Sequence, residues 1–485
     1  MTLNDIVRNC GVISLKGDGR IQISSVTNDS RKAGPGSLFI AVNGCGNDGR
    51  AYIPAAVAAG AAAVMMEEGA GYEAPQGVCT VTVSDSRYAA AMAADAFYGH
   101  PSGKLKLVGI TGTNGKTTTV TLLYRLFRSL GYECGLLSTI ANYVGDERIE
   151  TANTTSDPIT INSLLDEMCR RGCEYCFMEV SSIGVEQKRV EGLEFRLGIF
   201  SNLTHDHLDY HGTFAEYLRC KKEFFDKLPA SAVAIINADD RNGAVMVQNC
   251  KAELMTYGCR SAADHKCRIV EESFEGMQLN IDGKEVWTRL IGAHNAYNIL
   301  AIYCAALALG VDSEEALLAI SALESAPGRL ETIHGPKDLN VVIDYAHTPD
   351  ALENVLKTLR DVCPETCLFC LFGCGGDRDR SKRPEMGAVA EKYADRIILT
   401  SDNSRSESTG DIINEIKAGM SPAGLAKSLC IEDRREAIRT AIMLAPQGSA
   451  ILLAGKGHET YQIIGKCKSH FDEREIVEET FKTLA

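Results

Sequence analysis

The sequence predicts an α/β fold with three domains in series: a smaller N-terminal α/β domain over residues 1–103, a central parallel-sheet domain over 104–326 and a Rossmann-like C-terminal domain over 327–485. The length of 485 residues exceeds what one hydrophobic core ordinarily organises. Apolar segments of strand length alternate with helical segments, which is typical of a largely parallel sheet covered by helices. Turn-forming residues interrupt this alternation at 100–103 and 325–328, and we place the domain limits there.

Each domain is predicted from its own run of elements. The N-terminal domain has strands at 38–42 and 78–83 and alanine-rich helices at 53–60 and 87–98. The central strands are predicted at 105–110, 135–140, 175–180, 196–201 and 233–237, before a last helix at 296–310. The C-terminal domain has strands at 341–345, 366–372, 396–400 and 450–454, with helices at 351–360 and 435–444.

Charge and composition narrow the class of protein. The chain has 50 basic and 64 acidic residues, a net charge of −14, with 45% hydrophobic residues. General nucleic-acid binding depends on basic surfaces, so we expect no nucleic-acid partner. The longest apolar run, at 55–66, is too short to span a bilayer, so no membrane partner is expected either. A monomer is expected.

The 18 cysteines predict a reducing compartment. No basic and then apolar stretch typical of an export signal opens the chain, so a cytoplasmic protein without a disulfide framework is expected. The pairs Cys173/Cys176 and Cys367/Cys370 have the spacing of a zinc or redox site. Because both pairs fall in predicted strands, where residues three apart face opposite sides of the sheet, we interpret them as structural cysteines.

A phosphate-binding loop follows the strand at 105–110. The sequence Gly-Thr-Asn-Gly-Lys-Thr-Thr at 112–118 leads into a helix with apolar residues at helical spacing. Glycines let backbone N–H groups turn toward phosphate oxygens, and the helix N-terminus adds positive potential. Lys116 is expected to bridge the terminal phosphates of ATP, and the hydroxyl of Thr117 to reach Mg²⁺. Ile110 stands where the longer standard motif has glycine, so the loop is the shorter form.

Oxygen and nitrogen ligands are predicted beside this loop. Glu179 ends one predicted strand, and the segment 204–211, with three histidines and two aspartates, follows the next. Carboxyl ends of parallel strands share one edge of the sheet, where ligands bind. Phosphoryl transfer needs a metal ion held largely by oxygen, so a Mg²⁺ site is expected here.

These motifs together resemble the Mur ligases and their relative folylpolyglutamate synthase. The resemblance spans essentially the whole chain and implies an ATP-dependent acid–amino-acid ligase that uses Mg²⁺. It implies that Lys116, Glu179, His207 and a carbamylated Lys221 are catalytic, and that Thr117, Glu179, His207 and Lys221 surround the metal. Lys222 next to Lys221 leaves the register open. The resemblance assigns nucleotide binding to Gly112, Thr113, Asn114, Gly115, Lys116, Thr117, Thr118, Asn298, Arg329 and Asp344. From the residues alone, the segment around Asn298 fits helix capping by Asn295 equally well.

Within the family, the resemblance points to UDP-N-acetylmuramoyl-dipeptide and meso-diaminopimelate as substrates. The first domain looks like a uridine-nucleotide domain, with Asn28, Ser30 and the segment 45–47 as contacts. The muramoyl-dipeptide positions are Asn153, Thr154, Thr155, Ser181, Gln187 and Arg189. Those expected to bind the incoming amino acid are Arg383, Asp402, Asn403, Ser404, Arg405, Gly455 and Glu459.

The charges of this pocket fit the amino acid that the resemblance implies. A substrate with a zwitterionic far end needs a guanidinium for its carboxylate and an acid for its ammonium. Arg405 with Arg383 supplies the first and Glu459 the second. Lysine-adding relatives lack the arginine that stands at position 405 here, so Arg405 favours diaminopimelate as the substrate. Ser404 stands where the family has proline, which leaves specificity open.

Three other functions compete with this interpretation. An L-lysine-adding or D-Ala-D-Ala-adding ligase of the same family differs in the amine that it accepts. A folylpolyglutamate synthase-like ligase performs the same chemistry on folate but has no uridine-nucleotide domain. A nucleotide-dependent regulatory protein would bind or hydrolyse ATP without any muramoyl-peptide, and the histidine-rich segment would then have no purpose.

Overall fold

A computed structural model describes residues 1–44, 48–69, 77–204 and 208–484. The chain separates into two compact units, one of Met1–Lys266 with Tyr297–Ala319 and the other of Cys267–Ala296 with Ile320–Ala485. Within the described residues, every helix is too short or too polar to cross a bilayer.

The N-terminal segment forms a five-stranded sheet with the order β1-β5-β4-β3-β2. Strands β2 to β5 pair in parallel, and β1 is antiparallel to β5. Alanine-rich α3 packs its Ala89, Ala90, Ala93 and Ala94 face into the core under this sheet. The elements are α1 Leu3–Val7, β1 Val12–Lys16, β2 Ser25–Thr27, β3 Ser37–Ala41, α2 Ile53–Ala58, β4 Ala63–Glu67, β5 Cys79–Val83 and α3 Ser86–Phe97.

The central sheet has the order β13-β12-β11-β6-β10-β7, extended by an antiparallel edge of β8 and β9. Its parallel strands, apart from the half-exposed β13, are largely buried apolar runs, as expected of a sheet covered by helices. The elements are β6 Lys106–Thr111, α4 Lys116–Ser129, β7 Cys134–Leu137, β8 Asn142–Val144, β9 Glu147–Ile149, α5 Pro158–Arg170, β10 Tyr175–Glu179, α6 Ser182–Glu186, β11 Phe195–Phe200, α7 Leu208–His211, α8 Phe214–Asp226, β12 Val233–Asn237, α9 Gly243–Met246 and β13 Glu253–Gly258.

An antiparallel three-stranded meander and two helices follow. The elements are β14 His265–Ser273, β15 Gly276–Ile281, β16 Lys284–Thr288, α10 Ala293–Ala308 and α11 Ser313–Ser321. Sequence periodicity predicted α10 but not the meander. The strands β14 to β16 carry many exposed polar residues and contribute few continuous apolar runs.

The C-terminal sheet has the order β17-β18-β22-β19-β20-β21 and is parallel except for the edge strand β17. Apolar clusters cover both of its faces, which is the doubly wound arrangement that the sequence predicts. The elements are β17 Glu331–His334, β18 Asn340–Asp344, α12 Pro349–Val362, β19 Leu368–Phe372, α13 Lys382–Tyr393, β20 Arg396–Leu399, α14 Thr409–Lys417, α15 Pro422–Ala426, β21 Ser428–Cys430, α16 Arg434–Leu444, β22 Ala450–Ala454, β23 Tyr461–Ile464, β24 Cys467–His470 and α17 Glu473–Leu484.

Both members of each CxxC pair are free thiols. Cys176 and Cys370 are fully buried within β10 and β19. Cys173 and Cys367 lie just before these strands, so the prediction that whole pairs fall in strands is wrong for the first cysteine of each pair. Burial raises the pKa of the Cys370 thiol to about 12, so this group stays protonated near neutral pH. These thiols behave as small core residues.

Candidate active site

The phosphate loop leaves the central strand β6 and turns into α4. Gly112 and Gly115 both have positive φ, of 152° and 88°, which glycine adopts without a steric cost. The Lys116 ammonium donates to the backbone carbonyls of Gly112 at 2.9 Å and Thr113 at 2.8 Å. Strand, glycine turn and helix therefore form the geometry that a phosphate chain needs.

The loop is held by the segment after β11. The N–H of Thr113 donates to the backbone carbonyl of Asn202 at 2.8 Å, and the N–H of Asn114 donates to the side-chain oxygen of Asn202 at 2.9 Å. A Cβ atom on Gly112 would lie 2.0 Å from Ser201 Oγ and 3.1 Å from the backbone nitrogen of Asn202. Glycine is thus required at 112 by the close approach of these two segments as well as by its φ.

Glu179 lies at the centre of the site. It ends β10 with a fully buried side chain, and its Oε2 accepts a 3.0 Å hydrogen bond from the hydroxyl of Thr117. Its Oε1 accepts from the N–H of Thr139 at 2.8 Å. Its backbone carbonyl accepts from the hydroxyl of Thr155 at 2.9 Å. One residue therefore connects the phosphate loop with the segment predicted to hold the dipeptide.

The predicted dipeptide positions form one hydrogen-bonded group. The hydroxyl of Thr154 accepts from Thr139, and the Oγ1 of Thr155 accepts from the N–H of Ser181 at 3.0 Å. Arg189 donates to the carbonyl of Thr155 and to the side chain of Gln187, which in turn donates to Tyr210 at 2.9 Å. Asn153 is exposed beside this group.

The histidine-rich segment is described only in part. His207, with the preceding residues 205 and 206, lies outside the described residues, so its predicted role stays a prediction. His211 Nε2 lies 2.9 Å from the hydroxyl of Ser182, at the start of the helix after Glu179. The segment thus ends next to the strand that carries the carboxylate.

The structure separates Lys221 from Lys222. Lys221, 1% exposed, donates to the carbonyl of Gly112 at 2.8 Å, and its ammonium lies 4.7 Å from the centre of the Tyr217 ring. Lys222 instead pairs with Asp226 on its own helix. Lys221 is therefore the lysine of α8 that reaches the phosphate loop.

Asn298 lies against the phosphate loop. Its side-chain oxygen is 3.4 Å from the hydroxyl of Thr119, and a Cβ atom on Gly115 would approach it to 2.6 Å. Asn295 donates to the carbonyl of Ile291 at 2.8 Å within its own turn. Asn298 thus lies beside the phosphate loop, whereas Asn295 forms a hydrogen bond within its own turn.

Sequence reasoning missed Asp239. This carboxylate follows β12 and accepts from three successive N–H groups, of Cys259, Arg260 and Ser261, and from the hydroxyl of Tyr297 at 2.8 Å. Burial raises the pKa of Asp239, but the hydrogen bonds, led by those from Ser261 and Tyr297, lower it by a larger amount. The pKa of this carboxyl is therefore well below its usual value. An acid directly after a parallel strand was the available signal.

The predicted uridine-nucleotide contacts lie in the N-terminal sheet region. Asn28 is exposed and Ser30 begins a short 3-10 turn capped by Asp29, both directly after β2. The predicted contact segment 45–47 lies outside the described residues. Arg87, at the start of α3, donates to the carbonyl of Asn43 at 3.0 Å and fixes the loop leading to that segment.

In the second unit, Arg329 precedes β17 and Asp344 ends β18, so both lie at the same end of this antiparallel pair. Asp344 is 7% exposed and accepts from the N–H groups of Leu330 and Ala346, each at 2.8 Å. Burial raises its pKa, and the neighbouring Arg329 guanidinium opposes that rise. Arg329 lies 5.0 Å from the centre of the Tyr345 ring. The two residues predicted on the ribose side thus lie next to each other.

The predicted amino-acid pocket assembles at the carboxyl ends of β20 and β22. Asn403 donates to the carboxylate of Glu459 at 2.9 Å, and a Cβ atom on Gly455 would lie 3.2 Å from Asp402. The buried ammonium of Lys456 is 3.2 Å from Glu459 and 3.6 Å from Asp402. The sequence alone assigned this lysine no role. It brings a cation between two acids.

Arg405 has the left-handed backbone conformation, with φ of 49°. Its guanidinium donates to the carbonyl of Gly376 at 2.9 Å, and its side chain is half-buried. Ser404, 2% exposed, precedes it. A non-glycine residue at positive φ is uncommon and is maintained only by its surroundings, which marks this loop as a constrained one.

Arg383 is placed differently from Arg405. Its side chain is fully buried, and its guanidinium binds Glu407 at 2.9 Å and Glu415 at 2.7 Å. It also donates to the carbonyl of Gly375 at 3.1 Å. In this arrangement the guanidinium of Arg383 faces protein carboxylates, so Arg383 supports the pocket loops. A direct contact with a substrate carboxylate would require Glu407 and Glu415 to release this guanidinium.

The donor set fits Mg²⁺. Within the described parts of the chain, no three His, Cys, Asp or Glu side chains converge on one point as a complete metal cage. Mg²⁺ usually takes only one or two protein carboxylates and completes its shell with phosphate oxygens and water. The buried Glu179 carboxylate and the Thr117 hydroxyl are oxygen donors of this kind, beside a loop shaped for phosphate.

Comparison with known proteins identifies the family. The Mur ligase family catalytic domain matches residues 22–98, the Mur ligase middle domain 110–306 and the Mur ligase glutamate ligase domain 328–457. These matches cover most of the chain.

Curated relatives match over the full length. A UDP-N-acetylmuramoyl-L-alanyl-D-glutamate–2,6-diaminopimelate ligase of Parabacteroides distasonis is 49% identical over 485 residues, which is 100% of this chain and 99% of the relative. The ligase of the same name from Geobacillus kaustophilus is 41% identical and covers 96% of each chain.

Solved structures agree with the fold. The structure of a UDP-N-acetylmuramoyl-L-alanyl-D-glutamate–2,6-diaminopimelate ligase matches with a TM-score of 0.73 and 31% identity, covering 100% of this chain and 99% of the other. A MurF ligase from Thermotoga maritima in complex with ADP matches with a TM-score of 0.63 at 18% identity, over 96% and 97% of the two chains. The three-domain α/β prediction is confirmed. The chain belongs to the Mur ligase family and is an ATP-dependent, amide-bond-forming ligase.

Proposed function

We propose that this chain joins meso-2,6-diaminopimelate to the D-glutamate γ-carboxylate of UDP-N-acetylmuramoyl-L-alanyl-D-glutamate, with ATP, in peptidoglycan precursor synthesis. The position of Glu179 carries this proposal. Its carboxylate binds Thr117 of the phosphate loop, and its backbone carbonyl binds Thr155 of the dipeptide segment. Phosphoryl transfer requires the donor phosphate and the acceptor carboxylate to lie side by side, and this residue connects their two binding segments. The full-length relatives with this activity support the substrates.

The reaction has two steps. The substrate γ-carboxylate attacks the terminal phosphorus of ATP; a C–O–P linkage forms, the bond to ADP breaks, and an acyl phosphate results. The free amine of diaminopimelate then attacks the acyl carbon. The C–N bond forms, the amine loses a proton, and inorganic phosphate leaves with the C–O bond electrons.

The chain's own residues serve the first step by position and charge. The Lys116 ammonium and the loop N–H groups bind the phosphates, and Glu179 with Thr117 holds the metal side of the site. Mg²⁺, when bound, supplies charge screening between phosphate oxygens. His207 and a carbamylated Lys221 belong to the same proposal. The hydrogen bond from Lys221 to the Gly112 carbonyl supports the choice of this lysine. Asn298, Arg329 and Asp344 are proposed for the adenosine.

The pocket of Asp402, Asn403, Arg405 and Glu459 is proposed to select the amine. Diaminopimelate differs from L-lysine by a carboxylate on its far carbon. The Arg405 guanidinium matches this group, and the acids of the pocket match the adjacent ammonium. Lys456 offsets part of the acidic charge and leaves Glu459 able to accept an ammonium hydrogen bond. An L-lysine-adding ligase is the second candidate.

The domain limits and setting belong to the same proposal. Residues 1–103 bind the uridine nucleotide, 104–326 bind ATP and 327–485 bind the amino acid. The free thiols support a reducing, cytoplasmic location, and the chain is proposed to act as a monomer. Light scattering of the purified protein checks the last point, with a mass near 52.4 kDa expected.

Phosphate release tests the function. Purified enzyme receives ATP, Mg²⁺ and the UDP-dipeptide, with meso-diaminopimelate, L-lysine or D-Ala-D-Ala as the amine. We expect stimulation by diaminopimelate only, and a UDP-tripeptide by mass spectrometry. Equal stimulation by L-lysine, or turnover of a folate with glutamate instead, contradicts the proposal. Arg405→Lys keeps the charge but loses the planar fork, so it should raise KM for diaminopimelate while leaving KM for ATP unchanged.

A further inference from the structure

A buried arginine lies directly beneath the amino-acid pocket. Arg434 begins α16, and its side chain is 0% exposed. Its guanidinium donates to the backbone carbonyl of Ser401 at 3.2 Å and to that of Ala454 at 2.8 Å. Sequence analysis did not single it out. An arginine can form two such contacts at once because its planar fork presents donors in fixed directions.

The two carbonyls belong to different pocket loops. Ser401 directly precedes Asp402, and Ala454 directly precedes Gly455. Their strands β20 and β22 are not neighbours in the sheet, because β19 lies between them. Strand pairing alone therefore fixes each loop only through β19, and Arg434 adds a direct connection across the gap.

A buried acid holds the arginine in place. Glu473, the first residue of α17, is 1% exposed and accepts from the Arg434 Nε at 2.8 Å. Its second carboxylate oxygen is buried without a hydrogen-bond partner in the described part of the chain. Burying two charges is expensive, and apolar replacements of such a pair are often no less stable. Stability alone is thus a weak reason for the pair.

We propose that Arg434, held by Glu473, is a positioning residue for the incoming amino acid. It sets the distance between two segments, the loop that carries Asp402 and Arg405 and the turn that carries Gly455 and Glu459. This distance determines how far apart the groups lie that bind the far ammonium and the far carboxylate of the amino acid. This inference rests on the proposed function of the pocket.

A charge-neutral double variant, Arg434→Met with Glu473→Leu, separates positioning from folding. It removes both buried charges together, so the protein folds without an unpaired ion. We expect KM for diaminopimelate to rise about tenfold or more, because small misplacements of binding groups have large effects. KM for ATP and for the UDP-dipeptide should stay within about twofold of wild type, since both bind elsewhere.

The neighbouring pair supplies a matched control. Arg435 and Glu479 join the same two helices at the surface, 3.2 Å apart and 36% and 57% exposed. Arg435→Met with Glu479→Leu should leave every KM unchanged within about twofold. Arg434→Lys adds a second test in case the double variant does not fold. Its ammonium can pair with Glu473 but lacks the fork, so it should raise the same KM selectively.

The outcomes separate the two claims. A wild-type enzyme that no amine stimulates contradicts the proposed function itself. A wild-type enzyme stimulated by diaminopimelate, with a folded double variant or Arg434→Lys variant of unchanged KM for that amine, overturns the positioning role alone. An equal rise of all three KM values also overturns it, because it indicates a general structural role.

Discussion

The hydroxyl of Thr117, on the first turn of α4, donates a 3.0 Å hydrogen bond to the Oε2 of Glu179, at the end of β10. Strands β6 and β10 pair in parallel, with Ile110 opposite Glu179. The residues that follow β6 therefore lie beside the end of β10. A hydroxyl and a carboxylate separated by 62 positions in sequence come to share one point beside the phosphate loop.

This contact gives the first prediction. Thr117→Val keeps the shape of the side chain but removes the hydroxyl proposed to reach Mg²⁺. We expect kcat for phosphate release to fall about a hundredfold, the typical effect of losing one preorganised polar group at a reacting centre. Thr117→Ser, which retains the hydroxyl, should stay within about threefold of wild type. Equal rates for the two variants contradict the assignment.

Lys221 and Lys222 give the second prediction. Lys221→Met removes the contact with the Gly112 carbonyl, whereas Lys222→Met removes a partly exposed ion pair with Asp226. We expect the first variant to lose activity by about a hundredfold and the second to keep it within about threefold. Steady-state phosphate release measures both. A larger effect at Lys222 would show that the predicted register is wrong.

Ser404 gives the third prediction. In the described part of the chain its N–H donates no hydrogen bond, so proline removes none there. We expect Ser404→Pro to keep kcat/KM for diaminopimelate within about threefold and to raise the free energy of unfolding by about 0.5 kcal/mol through the unfolded state. Ser406→Pro is the control, because the Ser406 N–H donates to Asp377 at 3.2 Å. That variant should be less stable in urea.

Asp239 gives the fourth prediction, on pH. Its pKa is lower in the folded protein than in the unfolded chain, so the unfolded chain binds more protons at acid pH. The stability that this carboxylate contributes is therefore present above its ordinary pKa of 3.8 and is lost as pH falls below that value. Asp239→Asn should lower the urea midpoint at about pH 7, and the gap to wild type should narrow at about pH 3.

The same variant tests a link to the nucleotide. Asp239 binds Tyr297, and the next residue, Asn298, contacts the phosphate loop. Tyr297→Phe removes this hydrogen bond without altering the carboxylate's backbone contacts. KM for ATP should rise in both variants. A constant gap in urea midpoint across pH, or unchanged KM for ATP, contradicts this account.

Much of the fold could be predicted because it depends on local patterns. Apolar runs at 233–237 and 450–454 coincide with β12 and β22 in the structure. The phosphate loop could be located because its glycines, lysine and threonines are contiguous. The meander β14 to β16 could not be predicted, since its half-exposed strands lack a clear apolar period.

The sequence alone determined the family resemblance, the phosphate loop and the residues proposed for each substrate, because those features lie in short continuous segments. Only the tertiary structure decided which lysine of α8 reaches Gly112, that Arg383 binds two glutamates, and that Arg434 joins two pocket loops. The physical reason is that such contacts depend on strand order and on the direction of individual side chains. Neither is encoded in the spacing of residues along the chain.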